Sequence, residues 1–135
     1  MKKTAKILLI DDFELMRVQL KNELAALGYE NLSEAADGEQ ACYTLLNAGA
    51  EPYDFVFCDW NMPGKNGLDV LNFMRESSSY AKTPFVLVTS ESENQVLVQM
   101  IQAGADDYIL KPIASEELRI RLEKLFNRIQ KNKAA

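Results

Sequence analysis

Five short apolar runs recur along this chain, and a stretch of helical periodicity follows each one. The runs are Lys6–Ile10 (KILLI), a weaker Leu32–Ala35, Tyr53–Cys58, Pro84–Val88 (PFVLV) and a short Tyr108–Leu110. A strand that is apolar at successive positions leaves no face for water, so it belongs in a parallel sheet covered on both sides. The intervening stretches supply the cover. Phe13–Leu27 places Met16, Leu20, Leu24 and Leu27 on one helical face and is stopped by Gly28. A turn at Asp37-Gly38 leads into a helix to about Ala48, and Asn66 can cap a helix over Gly67 to about Glu76. Ser92–Ala103 reads as a fourth helix. Ser115 is expected to cap a fifth, whose apolar face is Leu118, Leu122, Leu125, Phe126 and Ile129, with a polar tail at Lys131–Ala135 expected to fray.

Five βα units with right-handed crossovers predict an α/β fold. The expected architecture is a doubly wound, flavodoxin-like (βα)5 sheet with strand order 2-1-3-4-5. A chain of 135 residues is expected to form one domain, 1–135, with its core over about residues 5–130. The formal charge of −5 lacks the basic footprint of a DNA-binding protein, and no apolar run is long enough to span a membrane. The start, MKKTAKILLIDD, has no full apolar region or cleavage site before its acidic pair, so a cytoplasmic location is expected. Cys42 and Cys58 form no CxxC pair and read as reduced, packed thiols. The chain has no histidine, which removes Ser-His and Cys-His nucleophile pairs and any role as a phosphohistidine donor.

In such a sheet, ligands bind beyond the carboxyl ends of the strands. Asp11 and Asp12 follow the first strand, Asp59 the third, Thr89 and Ser90 the fourth, and Lys111 the fifth. The first and third strands are neighbours in this order, so three carboxylates meet. Clustered carboxylates repel one another unless a counter-charge intervenes. Lys111 is one such charge and a hard divalent cation is another; Mg²⁺ takes oxygen ligands and keeps open positions for phosphate. The set Asp12, Asp59, Thr89 and Lys111 therefore reads as a Mg²⁺-phosphate site in which a carboxylate can be the nucleophile. Plainer readings stand beside this one: Asp12 as a helix cap, Thr89 as a β-branched strand end, Tyr108 as a packing residue and Trp60 as an exposed neighbour of the site.

Four segments in order, DDFELMR from Asp11, DWNMPGKNG from Asp59, VTS ending at Ser90 and GADDYILKP from Gly104, give the chain its resemblance. It resembles a response-regulator receiver domain, most closely the single-domain chemotaxis type. The resemblance implies that Asp59 accepts a phosphoryl group from a phosphohistidine of a sensor histidine kinase. It implies Mg²⁺, with Mn²⁺ as an alternative, held by Asp12, Asp59 and the Asn61 backbone carbonyl, with Asp11 acting through metal-bound water. Thr89 and Lys111 would bind phosphoryl oxygens, Thr89 and Tyr108 would form the switch, and the Lys111-Pro112 bond would be cis. Asn61 and Glu91 would tune the rate of dephosphorylation.

Some positions depart from the family pattern. Asn66 stands where Asp is common and Ile113 where Phe is common. The fourth helix opens Ser92-Glu93-Asn94-Gln95 without the lysine frequent in members that bind the flagellar motor switch. Either a motor-switch target or a histidine phosphotransfer protein is expected to receive the output, through the surface of helix 4, strand 5 and helix 5. The chain stops soon after its last helix, so output by protein contact is expected from a stand-alone protein, with a receiver excised from a larger regulator as the alternative. A monomer is expected, with dimerisation after phosphorylation left open. Self-catalysed phosphotransfer and autodephosphorylation are the only reactions expected. A phosphohydrolase of related chemistry needs a second aspartate two residues after the nucleophile, where this chain has Asn61. A flavin carrier needs a phosphate-cradling loop where it has Asp-Asp-Phe-Glu. A degenerate receiver that works without phosphate is disfavoured, because every acid-site residue is present.

Overall fold

The computed structural model describes residues 3–90 and 94–134, with side chains described as far as Arg128. Five strands, β1 (Ile7–Ile10), β2 (Leu32–Ala35), β3 (Phe55–Cys58), β4 (Phe85–Thr89) and β5 (Asp107–Leu110), form one sheet. Their order is β2-β1-β3-β4-β5, and every neighbouring pair is parallel. The helices α1 (Glu14–Ala26), α2 (Gly38–Leu46), α3 (Gly67–Glu76), α4 (Asn94–Gln102) and α5 (Ser115–Ala134) connect and cover the strands.

Alternation along each strand divides the core in two. Leu8, Ile10, Val56, Cys58, Phe85 and Leu87 face one way and pack with Leu45 of α2, Leu71 and Met74 of α3 and Met100 of α4. Ile7, Leu9, Phe55, Phe57, Val86, Val88 and Ile109 face the other way and pack with Leu20 and Leu24 of α1 and Leu118, Leu122 and Leu125 of α5. β1, β3 and β4 are buried at every position, as their continuous apolar runs require. Each fully buried Leu or Phe in these layers contributes about 1.5–3 kcal/mol of transfer free energy. Cys42 and Cys58 are both free and buried, and no described helix is long and apolar enough to cross a membrane.

Several element ends differ from the sequence expectation, each for a local reason. α1 begins at Glu14 and has no side-chain cap, so Asp12 does not cap it. Asp37 is a cap, not half of a free turn: its carboxylate accepts from the Gln40 N–H at 2.8 Å, and Gly38 opens α2. Ser115 is the first residue of α5, not its cap, and the helix runs on to Ala134, because no glycine or proline interrupts the Lys- and Ala-rich tail. The expected start of α4 at Ser92 lies outside the described residues, as does Glu91.

Candidate functional site

The site is built where β1, β3, β4 and β5 end side by side. Ile10 is in register with Cys58 and with Ala35, so the chain leaves the sheet at Asp11 and at Asp59 on adjacent strands. Backbone bonds carry the ladder one step further: the Asp59 N–H donates to the Ile10 carbonyl at 2.9 Å, and the Asp11 N–H to the Ala35 carbonyl at 3.2 Å. Carboxylate oxygens of Asp11, Asp12 and Asp59 all lie within 4.8 Å of one another. Asp11 and Asp59 are buried, and Asp12 is exposed.

Lys111, at the end of β5, reaches into this cluster. Its Nζ donates to Asp11 Oδ2 at 2.7 Å and to Asp59 Oδ2 at 3.2 Å. The Thr89 side chain, buried at the end of β4, also hydrogen-bonds the Asp59 carboxylate, and the Trp60 N–H donates to Asp59 Oδ1 at 2.7 Å. Burial pushes the Asp59 carboxyl above the ordinary aspartate value of 3.8; Lys111 opposes that rise, and Asp11 adds to it. Lys111 is itself raised. Burial acts to lower it, but the hydrogen bond to Asp11 and the charges of Asp59 and Asp11 outweigh that effect.

One ammonium against three carboxylates leaves two negative charges uncompensated in a pocket of hard oxygen donors. That donor set fits Mg²⁺, which binds through one or two carboxylates and retains waters. Of the expected ligands, the structure brings together Asp11, Asp12 and Asp59. Asn61 lies in the exposed loop two residues beyond Asp59. Tyr108 shares a sheet face with Thr89: Leu87 is its register partner, and Thr89 lies two residues further along the same strand. Tyr108 is half-buried. The Lys111-Pro112 peptide bond is cis. Trp60 departs from its expected exposure: it is partly buried, packed against the α2–α3–α4 layer.

Other residues hold the site in place, and the sequence reading assigned neither Arg17 nor Gly67 a part in it. The Arg17 guanidinium donates to the Asp11 carbonyl at 2.6 Å and to Glu34 of β2 at 3.1 Å, fixing the acidic loop to the neighbouring strand. Gly67 lets α3 start directly behind Asp59. A Cβ there would stand 2.5 Å from the Asp59 carbonyl oxygen, and its N–H donates to the Trp60 carbonyl at 2.9 Å. Asn66 caps α3 in a reciprocal box with Asp69, so its departure from Asp costs nothing in helix capping. The proximity of Gly67 to Asp59 could have been suspected from the compressed turn PGKNG. Nothing local in the sequence announces Arg17, which acts on a residue six positions earlier and on another strand.

A family model described as the response regulator receiver domain matches residues 7–123. The chain is 39% identical over 124 residues to the chemotaxis protein CheY of Pseudomonas aeruginosa, covering 92% of this chain and 98% of that protein. It is 39% identical over 127 residues to CheY-3 of Vibrio cholerae, covering 94% and 95% of the two chains. Among solved structures, Vibrio cholerae CheY4 superposes with a TM-score of 0.81 at 30% identity, over 90% of this chain and 98% of that one. The receiver domain of the sensor histidine kinase PA1611 of Pseudomonas aeruginosa, solved with a magnesium ion coordinated in its active-site cleft, superposes with a TM-score of 0.79 at 26% identity, over 92% and 98%. With its strand order, its acid cluster and these likenesses together, the chain belongs to the family of response regulator receiver domains, of the CheY-like kind.

Proposed function

We propose that this chain is a phosphorylation-activated switch whose acceptor is Asp59. The observation that carries the reading is the convergence of Lys111, Thr89 and two further carboxylates on the buried Asp59 side chain. Asp59 directly follows β3 at the mouth of the sheet, the side from which a phosphoryl donor would approach. Its raised affinity for a proton also makes its ionised form a better nucleophile.

In the proposed reaction, an Asp59 carboxylate oxygen attacks the phosphorus of a phosphohistidine on a histidine kinase. The O–P bond forms, the P–N bond breaks, and the imidazole leaves with its electron pair. Lys111 would exchange its carboxylate contact for a phosphoryl oxygen, and the Thr89 hydroxyl would donate to another. Asp12, Asp59 and the Asn61 carbonyl would hold Mg²⁺, with Asp11 acting through water. When bound, the metal supplies positive charge against the phosphoryl oxygens. Phe13, which follows the acid pair directly, is 56% exposed, and Leu15 is 68% exposed; apolar side chains so placed suit the docking of a partner helix at the acceptor.

Output would follow when Thr89 moves toward the phosphoryl group and Tyr108 turns inward behind it, changing the surface of α4, β5 and α5. The likeness to chemotaxis proteins favours a protein target, a motor-type switch or a phosphotransfer protein, reached in the cytoplasm. Turnover is limited to phosphorylation and self-catalysed dephosphorylation, since Asn61 offers no acid at the position a phosphohydrolase would need. Intact-protein mass after incubation with acetyl phosphate tests this reading. One phosphoryl group should be gained with Mg²⁺ and none with EDTA; equal labelling in both would remove the metal from the account, and none in either would remove the acceptor.

A further inference from the structure

β5 is an edge strand, and Arg121 of α5 reaches round its outer side. Asp107 and Ile109 point toward the α1–α5 layer, whereas Tyr108 packs toward the α2–α3–α4 layer. Arg121 projects from α5 in the first of these layers, yet its guanidinium carbon lies 5.2 Å from the centre of the Tyr108 ring. It therefore wraps the sheet edge to reach the tyrosine. Two carboxylates hold the guanidinium in that pose: Nη1 donates to Asp107 Oδ1 at 2.6 Å, and Nε to Glu117 Oε1 at 3.1 Å.

The direction of this contact matters. Thr89 lies on the far side of Tyr108 from the edge, on the adjacent strand and the same sheet face. A ring turned inward toward Thr89 moves away from the guanidinium at the edge. We propose that Arg121 is a positioning residue that clamps Tyr108 at the sheet edge and so biases the unphosphorylated protein toward its resting state. The inference rests on the switch reading given above and adds the group that sets its equilibrium. A contact of this kind, partly exposed, shifts a two-state population by about two- to fivefold.

The protein labelled with 3-fluorotyrosine reports the position of Tyr108 by fluorine NMR, its resonance assigned by loss in Tyr108→Phe. Wild type is compared with Arg121→Ala, Arg121→Lys and Asp107→Asn, each without and with beryllofluoride and Mg²⁺ as a phosphoryl mimic. The wild-type resonance should move with the mimic. In the unliganded protein, Arg121→Ala should raise the inward fraction about two- to fivefold, with Arg121→Lys intermediate. Asp107→Asn, which weakens one of the two carboxylate holds on the guanidinium and also the bond Asp107 Oδ1 accepts from the Tyr108 N–H at 2.8 Å, should shift it in the same sense. Phosphorylation by acetyl phosphate should quicken in parallel. A resonance that moves with the mimic in wild type but keeps its resting populations in Arg121→Ala would overturn the clamp and leave the switch standing. A wild-type resonance indifferent to the mimic would overturn the switch, and the clamp with it.

Discussion

Replacing Asp59, the proposed acceptor, should make the resting protein more stable. Asp59 lies within 4.8 Å of both Asp11 and Asp12, and at an effective dielectric of about 20 each such pair of charges repels by about 3.5 kcal/mol. Lys111, 3.2 Å away, returns about 5 kcal/mol on the same scale. The balance is repulsive by about 2 kcal/mol before the desolvation of a buried carboxylate is counted, while the bonds from Thr89 and the Trp60 N–H offset part of it. Asp59→Asn keeps the shape and the acceptor oxygen but removes the charge, so a gain of about 1–3 kcal/mol is expected, or roughly 4–10 °C in Tm for a chain of this size. Differential scanning calorimetry in EDTA at low ionic strength and neutral pH measures it, and added salt should shrink the difference. The pH dependence has a definite sign. Because the folded-state pKa of Asp59 is raised above its ordinary 3.8, the ionised carboxylate costs stability at neutral pH. That cost fades as pH falls through the raised value toward 3.8, so the advantage of Asp59→Asn should be largest at neutral pH and shrink in that window. A variant that melts at or below wild type at neutral pH would refute the repulsive cluster.

The remaining expectations concern the same frame. Asp12→Ala should weaken Mg²⁺ binding by at least about tenfold, read from Trp60 fluorescence during titration, because one direct ligand is lost; unchanged affinity would remove Asp12 from the metal site. Gly67→Ala should cost about 2 kcal/mol or more in urea denaturation and slow phosphorylation, since its Cβ would meet the Asp59 carbonyl at 2.5 Å. Arg75→Met should cost about 2 kcal/mol: Arg75 donates to the carbonyls of Tyr80, Thr83 and Gly104 and pairs with Asp106, and although the Tyr80 carbonyl keeps the Thr83 N–H and Asp106 keeps Arg128 and the Phe85 N–H, the Thr83 and Gly104 carbonyls lose their arginine donor. A urea midpoint within error of wild type would show that water satisfies those groups instead.

What the sequence discloses here, and what it hides, follows from the range of each interaction. Strand and helix identities are local: KILLI and PFVLV are apolar throughout, and the α1 face at Leu20 and Leu24 is buried as its spacing requires. The juxtaposition of Asp11, Asp12, Asp59 and Lys111 is long-range, yet legible, because the parallel order places all the strand ends on one rim. Element ends were less legible. Asp37 caps α2 where a plain turn was expected, and Ser115 sits one position inside the helix it was expected to cap, since capping depends on backbone angles that composition alone does not set. The supporting arginines were not legible at all. Arg17, Arg75 and Arg121 look like ordinary helix-surface cations in sequence, and only the folded chain shows that each reaches a carbonyl, a carboxylate or a ring on another element.

The central claim is that Asp59 carries the phosphoryl group, and borohydride trapping tests it most directly. Protein treated with acetyl phosphate and Mg²⁺ is reduced, digested and sequenced by mass spectrometry, so that a phosphorylated aspartate is read as homoserine. Homoserine is expected at position 59 alone, and none in Asp59→Asn. Homoserine at position 11 or 12 in the wild type, or persistence of the label in Asp59→Asn, would contradict that claim.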